Sequence, residues 1–323
     1  MRISVAGIFF NNGTTAGPCM ESLLALRWPD KEVIAVYDTA SRDNTLEVLR
    51  KYRDRIHKFV EVHGVVNALA YNAAAEAATG DLVLIADGDT LYAEDYLERI
   101  APCVGDDPWV AGALGRKRIH EPRTWYQRLA DLDYSVRMRK GRYSPFACHV
   151  FRRKTLLDIG GYWPKCGPTG WPDYDLGVRL RKRGFRIAFC EEARWFEIER
   201  ANLRQEFWRH FRRGASVART EPSPEARWAF RYGAARAFYP GAVPLALLLS
   251  LAIPAPWRWF WIAAAFAPLA HLVGRYLSWG LRDGTPQAVL WPLLGFLYRD
   301  PAFALGYLRG LLGPLGIARP GRT

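Results

Sequence analysis

Rhythm constrains this chain more than any single motif. Across the first hundred residues, short apolar runs of strand-like composition alternate with helix-forming segments. Ile3–Phe10, Glu32–Tyr37, Lys58–Val62 and Asp81–Ala86 read as strands. Cys19–Leu26, Asp43–Tyr52 and Asn67–Ala78 read as helices, with Ser41 or Asp43 capping the second and Gly80 ending the third. Such alternation predicts a mostly parallel sheet with helices on both faces. Ligands then bind beyond the carboxyl ends of the strands. The first apolar run is short and ends in Asn11-Asn12-Gly13 with no small-residue cleavage site, so it is a buried strand and not a signal peptide.

The middle of the chain is less regular. Val110–Leu114, Phe146–Phe151 and Arg186–Cys190 are predicted strands. Trp125–Lys140 is a predicted basic amphipathic helix, Leu156–Ile159 a helix end, and Tyr174–Arg183 a helix stopped by Gly184. Thr220–Arg227 has the composition of a linker. Beyond Arg236 the composition changes. Ala237–Trp257 carries no charge over 21 residues and Trp259–Gly274 none over 16, against the roughly 20 that span a bilayer. Two spans, Phe238–Ile253 and Trp257–Leu277, are expected there. The apolar stretches Thr285–Tyr298 and Ala302–Ile317 suit interfacial or re-entrant helices.

Charge follows the same division. Residues 1–100 hold 10 Lys and Arg against 15 Asp and Glu; residues 101–237 hold 28 against 15; residues 238–323 hold 7 against 2. A basic middle next to an apolar end fits a face on anionic lipid, or a grip on phosphates, better than nucleic-acid binding. Five cysteines, none in a CxxC pair, argue against a disulfide framework or zinc site.

Three carboxylate elements carry the chemistry. Asp38 ends the second strand and leads into Thr39-Ala40-Ser41-Arg42-Asp43-Asn44-Thr45, where a carboxylate can accept hydrogen bonds from a base. Asp87-Gly88-Asp89 ends the fourth strand, and two carboxylates around one spacer can hold a divalent cation that bridges phosphates. Asp173 and Asp175 begin a helix after Gly160-Gly161-Tyr162 and Trp171-Pro172, where a helix N-terminus favours negative charge. The basic segment Arg204–Gly214 follows.

Together these elements resemble family 2 glycosyltransferases over roughly residues 1–215. Asp38 to Thr45 is similar to the family's "DDGSTDGT", with Thr39 and Ala40 replacing its second Asp and Gly. Asp87 to Asp89 is similar to its DxD motif. Asn72 and Gly80-Asp81 match "ARN…A.GD", with Tyr71 in place of Arg. Gly160 to Leu180 is similar to "GGF…GEDxDLxxRL", with Pro172 in place of Glu. Arg204 to Gly214 loosely resembles the segment that reads "QxxRW" in processive relatives, with Trp and Arg in reversed order.

The resemblance implies a GT-A fold, a mixed, mostly parallel α/β sheet, followed here by C-terminal transmembrane or interfacial helices. It divides the chain into a nucleotide-sugar half (1–105), an acceptor half (106–219), a linker (220–236) and membrane-anchoring helices (237–323). It implies Asp173 as catalytic base, Asp89 as ligand of Mg²⁺ or Mn²⁺, and Phe9, Asn11, Asp38, Asn72, Asp87 and Gly88 at the nucleotide. Gly88 is expected to let the nucleotide approach closely. Arg209, His210 and Arg213 are expected at the departing diphosphate. The implied activity is inverting transfer from a nucleotide-diphosphate sugar, UDP before GDP. The acceptor would be lipid-linked, a polyprenyl phosphate or glycan, at the cytosolic face of the cell membrane under a multi-pass anchor. A nucleotidyltransferase would share the α/β architecture and paired Asp residues but would release pyrophosphate. A non-catalytic basic membrane- or nucleic-acid-binding protein would account for the charge but not for the ordered carboxylates.

Overall fold

The computed structural model describes residues 1–64, 67–139, 149–167, 171–198 and 202–312. Eight strands form one sheet: β1 (Ile3–Phe9), β2 (Lys31–Asp38), β3 (Lys58–Val62), β4 (Leu82–Asp87), β5 (Thr90–Tyr92), β6 (Val110–Ile119), β7 (Val150–Arg152) and β8 (Arg186–Glu197). Their spatial order is β3-β2-β1-β4-β7-β6-β8-β5. β3, β2, β1 and β4 run parallel, as do β6 and β8, whereas β7 is antiparallel to β4 and β6, and β5 is antiparallel to β8. The sheet is therefore mixed and mostly parallel, and its interior strand β1 is sealed on both faces, with Ile3, Val5, Ala6 and Phe9 fully buried.

Helices α1 (Ala16–Ala25), α2 (Thr45–Arg50), α3 (Asn67–Ala77), α4 (Tyr96–Val104), α5 (Trp125–Arg137), α6 (Arg153–Asp158) and α7 (Pro172–Lys182) complete the α/β unit. α5 starts at a capping box, Thr124 with Gln127. The second helix begins two residues later than Asp43. That carboxylate instead accepts from Gly13 N at 2.7 Å and Thr45 Oγ1 at 2.5 Å, tying the β1 and β2 loops together. The predicted strand Phe146–Phe151 is described only from residue 149 onward, where β7 occupies its end.

Two strands outrun their predicted ends. β6 continues past Leu114 to Ile119, and β8 past Cys190 to Glu197. Gly115 pairs with Cys190 and Arg116 with Arg194, so Glu191–Ala193 form a bulge left out of the pairing. A side chain at Gly115 would stand 2.4 Å from the Ala193 carbonyl, so glycine is what lets the bulge fold over β6.

The C-terminal third is helical: α8 (Leu203–Arg219), α9 (Arg227–Arg236), α10 (Tyr239–Ser250), α11 (Ala255–Arg282), a 3-10 turn at Pro286–Val289, α12 (Leu290–Leu294), a π turn at Gly295–Arg299 and α13 (Asp300–Leu311). The stretch expected as a linker is packed. Ser223 is fully buried and its N–H donates to Asp175 Oδ2 at 2.8 Å, while Ala226, Ala229 and Phe230 join a core with Cys166 and Val178. α13 lies against α8 with almost no space between backbones. A side chain at Gly214 would meet Phe303 O at 2.0 Å, and one at Gly306 would meet Phe211 O at 1.9 Å. Small residues at such a crossing let the helices touch backbone to backbone.

The two expected spans are unequal. α11 contains the apolar segment Trp257–Arg282, 26 residues with little burial, which is long and apolar enough to cross a bilayer. α10 has 12 residues, about 18 Å of helix, against a hydrocarbon core of about 30 Å. Among the described residues only one helix therefore meets the length of a span. The far end of α11 is rooted in the α/β unit: Tyr276 Oη donates to Asp133 Oδ1 at 2.7 Å, and Arg139 pairs with Asp283 at 3.3 Å.

Candidate active site

β1, β2 and β4 run parallel, so their carboxyl ends share one side of the sheet. β5 pairs with the end of β8 there, and charges on β6, β8 and α7 (Lys117, Glu197 and Asp173) reach Asp87 from across the cleft so formed. Asp38 ends β2 almost fully buried, and its Oδ1 accepts from Ala40 N at 2.9 Å and Gly64 N at 2.7 Å. Backbone donors thus hold one of the two carboxylate oxygens. Asn11 sits at a left-handed φ of 53° and braces the same loop, its Oδ1 accepting from Arg42 N at 2.8 Å.

Three residues expected at the nucleotide have structural work to do. The Phe9 ring is fully buried beside Gly7 and Leu23, so only its backbone faces the strand end. The space next to Gly88 is filled by Asn12 at 2.7 Å and Ile8 O at 2.8 Å, so the close approach this glycine permits is between two loops of the protein itself. The Asn72 amide clasps the Tyr162 backbone, donating from Nδ2 to Tyr162 O at 2.9 Å and accepting from Tyr162 N at 2.7 Å. That clasp also accounts for Gly161, where a side chain would come within 2.3 Å of Asn72 Oδ1.

Asp87 ends β4 with its carboxyl open to the cleft. Tyr71, which stands where the family has Arg, donates its hydroxyl to Asp87 Oδ1 at 2.7 Å. Enclosure by protein on the other sides raises the Asp87 pKa. The Tyr71 hydrogen bond and the Lys117 charge oppose that rise, and Glu197 and Asp173 add to it. Asp89 is half-buried, and its carbonyl accepts from Ile198 N at 2.8 Å, which joins the DxD turn to the end of β8. Cys19 lies under this turn, but burial and the two Asp charges push its thiol well above the usual range and keep it protonated.

Asp173 is exposed in the first turn of α7. Burial of its surroundings raises its pKa, against hydrogen bonds from the helix N-terminus and the charges of Arg213 and Lys117. Asp175 differs entirely. It is fully buried, pairs with Arg179 at 2.8 Å and accepts from Ser223 N. Arg179 in turn donates to Ile159 O at 2.9 Å and Gly161 O at 2.5 Å. The second Asp of the motif thus fastens α7 to the Gly160-Gly161 turn.

Of the three cations expected at the diphosphate, two are turned toward Glu206, a fully buried carboxylate on α8. Arg209 pairs with it at 2.5 Å and His210 Nε2 lies 2.9 Å away. Burial lowers the His210 pKa, and Arg213 and Arg299 add to that against the opposing pull of Glu206, while Arg209 sets a full positive charge beside the Glu206 carboxylate. Arg213, one turn on, is the cation whose field reaches Asp173.

The sequence reading missed the far wall. Lys117 on β6 and Glu197 on β8 form an ion pair, with Lys117 Nζ 4.2 Å from the Tyr134 ring centroid and 5.0 Å from that of Trp195. Burial alone would lower the Lys117 pKa, but Glu197 more than offsets it and raises it. Behind them His149 is held neutral, its pKa pushed down to about 3 by burial and by Lys117. Charged residues interrupt the apolar runs of both strands, so nothing in hydropathy announces that they continue into the site.

The donor set fits a hard divalent cation. Asp87 and Asp89 offer carboxylate oxygens, and no group of three or more His, Cys, Asp or Glu surrounds a common point among the described residues. Mg²⁺ is commonly held in this way, by one or two carboxylates with substrate phosphates and water completing the shell.

Comparison with known proteins agrees with this architecture. Residues 9–216 match the family described as Glycosyltransferase like family 2. An N-acetylglucosaminyltransferase of Bradyrhizobium diazoefficiens is 27% identical over 205 residues, 57% of this chain and 42% of the relative. The chain thus spans under half the length of that curated relative. A mannosyltransferase from Pyrobaculum calidifontis, solved with GDP-Man and Mn²⁺, superposes with a TM-score of 0.56 at 19% identity, covering 96% of this chain and 87% of that one. Staphylococcus aureus TarS 1–349 in complex with UDP-GlcNAc gives 0.53 at 14% identity, covering 95% and 91%. The fold is GT-A, and the chain belongs to glycosyltransferase family 2.

Proposed function

We propose that this protein transfers a sugar from a nucleotide-diphosphate donor to a lipid-linked acceptor, with inversion, at the cytosolic face of a membrane. The observation that carries the reading is the set of carboxylates at the sheet's open end: Asp87 hydrogen-bonded by Tyr71, Asp89 in the turn tied to the end of β8, and exposed Asp173 in the first turn of α7. UDP-GlcNAc leads as donor, since an N-acetylglucosaminyltransferase is 27% identical to this chain over 205 residues.

In this reading Asp38 meets the base, Asp87 the ribose or the metal's water shell, and Asp89 a Mg²⁺ or Mn²⁺ ion. Such an ion neutralises charge on the departing diphosphate. Asp173 takes the proton from the acceptor hydroxyl as that oxygen attacks the anomeric carbon. The bond to the diphosphate oxygen breaks in the same step, on the opposite face, so configuration inverts. Arg213 and Lys117 are the cations whose charges reach Asp173, with Arg209 shared between Glu206 and the Glu197 field.

The apolar hairpin of α10 and α11 supports membrane association. Leu245, Leu248, Leu249 and Leu251 are exposed on one arm, Trp257, Trp259, Phe260 and Trp261 on the other. Such a contiguous apolar surface marks an interaction site. Its tip carries Arg258, turned back so that its guanidinium donates to Ser250 O, Leu251 O and Ile253 O at 3.2–3.3 Å. A charge closed on helix carbonyls suits a lipid environment. Because α13 packs against α8, the chain enters and leaves the hairpin on one side. We read it as re-entrant, reaching into the bilayer without two full crossings.

Product analysis with UDP-GlcNAc, UDP-glucose and GDP-mannose and a membrane extract tests the function. Release of nucleoside diphosphate with a β-linked product from an α-linked donor is expected. Release of pyrophosphate would establish a nucleotidyltransferase instead.

A further inference from the structure

The cleft contains a partly buried ion pair that neither the metal site nor the base requires. Lys117 and Glu197 are brought together where β6 and β8 run side by side, and Glu197 lies opposite Thr90, the residue after Asp89. The pair therefore stands beside the DxD turn, and the Lys117 charge reaches both Asp87 and Asp173.

Stability does not explain such a pair. Removing two charges from water costs about as much as their attraction returns, and apolar residues of the same size serve a core as well. Nor is the pair closed on itself. Both Lys117 and the Tyr134 hydroxyl meet Glu197 at Oε2, the latter at 3.3 Å, and Oε1 takes no hydrogen bond among the described residues. The ammonium has three protons, and the Tyr134 ring and Glu197 occupy only part of its surroundings. The side chains are 15% and 21% exposed, so a small molecule in the cleft can reach them.

The chemistry of this wall selects its ligand. A phosphate would meet Glu197 as well as Lys117, and a cation would meet Lys117 as well as Glu197. A neutral polyol suits both, because each hydroxyl donates and accepts: the carboxylate oxygen takes a hydroxyl proton and the ammonium gives one to a hydroxyl oxygen. We infer that Lys117 and Glu197 bind hydroxyl groups of the transferred sugar and so determine which sugar the cleft accepts. This rests on the nucleotide-sugar reading above.

The test compares nucleotide sugar with bare nucleotide on the full-length protein in detergent. Calorimetry with Mn²⁺ measures UDP-GlcNAc against UDP, and GDP-mannose against GDP, for the wild type, Lys117→Met, Lys117→Arg and Glu197→Gln. A hydrogen bond to a charged group sets the expected scale, a loss of at least about tenfold in affinity for the preferred nucleotide sugar. Lys117→Met and Glu197→Gln should show that loss with nucleoside diphosphate affinity within about twofold of wild type. Lys117→Arg, which keeps the charge, should recover part of it.

Equal losses for sugar-bearing and bare nucleotide would overturn the inference and make the pair a support of the cleft. Unchanged affinity for both, with only the acceptor KM raised, would overturn it in favour of an acceptor subsite. Should a variant not fold, Glu197→Gln and Lys117→Arg are the conservative pair on which the ratio is read. A wild-type protein that binds none of the four nucleotides sinks the nucleotide-sugar reading itself, an outcome distinct from either of these.

Discussion

The ring of Trp171 lies nearly parallel to that of Phe303, 12° apart with centroids separated by 5.6 Å. Trp171 comes directly before Pro172 and takes a left-handed φ of 58°, a conformation that costs a residue with a large side chain on the order of 1–3 kcal/mol. Phe303 on α13 and Phe230 on α9 hold it there, and a side chain at Gly233 would collide with its ring at 2.8 Å. The C-terminal helices therefore fix the first turn of α7, and with it Asp173.

Phe303→Ala should lower the turnover of sugar transfer while nucleotide affinity stays near wild type, because the change loosens Asp173 and leaves the β1, β2 and β4 ends intact. Removing a buried ring also costs about 3 kcal/mol or more in stability, so Phe303→Leu serves as the milder control. Turnover at saturating donor, compared with nucleotide affinity by calorimetry, checks this. Nucleotide affinity that falls in step with turnover would show a general loss of structure.

Asp173 and Asp175 should separate cleanly. Asp173→Asn is expected to reduce transfer on the order of a hundredfold or more, the scale of a general base, with donor binding and thermal stability retained. Asp175→Asn should destabilise the protein by about 3–5 kcal/mol, since it leaves Arg179 buried without its charge partner. Near wild-type turnover in Asp173→Asn would remove that residue from the chemistry.

The pH profile carries a sign. A base works ionised, so activity is lost as pH falls through its pKa. The raised pKa of Asp173 places the acid limb of kcat/KM above the ordinary Asp value of about 4. Arg213 lowers that pKa, so Arg213→Gln should move the limb to still higher pH. A limb that moves down in this variant would contradict the assignment of Asp173 as the titrating group.

Glu206 makes a prediction about stability. Burial would raise its pKa, but the hydrogen bond with His210 and the charge of Arg209 bring it down to about 2 from 4.5. A carboxylate with a depressed folded-state pKa contributes stability above its unfolded pKa, and that contribution is lost as pH falls from about 4.5 through about 2. Glu206→Gln should cost about 3 kcal/mol at pH 7 and flatten the dependence below pH 4.5. Urea unfolding in detergent at pH 7 and pH 3 measures both; equal steepness in the two proteins would rule it out.

The α10–α11 hairpin is expected to resist carbonate extraction yet stay out of the far leaflet. Tyr239 Oη donates to Ala265 O at 2.6 Å, and from that level to the tip the arm is α10, about 18 Å of helix. A cysteine placed at Ala252 in sealed vesicles should be inaccessible to an impermeant maleimide on the side opposite the catalytic unit. Labelling from that side would restore the two-span topology.

Local sequence determined much of this protein. Strand and helix periodicity, together with Asp38 and Asp87-Gly88-Asp89 at strand ends, specified an α/β sheet with carboxylates at one edge, because period and turn chemistry are properties of neighbouring residues. The same reading assigned Gly88 and Asn72 to the nucleotide, since a motif shows that a residue type is required without showing what it touches. Only the folded chain reveals that Asn12 fills the space beside Gly88 and that the Tyr162 backbone uses both ends of the Asn72 amide. Lys117 and Glu197 were beyond reach for a related reason. They lie 80 residues apart, on strand ends whose charged residues hide them from hydropathy, and meet only through the pairing of β6 with β8. The hold of Phe303 on Trp171 likewise depends on helices more than a hundred residues apart in the chain. Pairing of strands and packing of distant helices are decided by the whole core, and no window of sequence contains them.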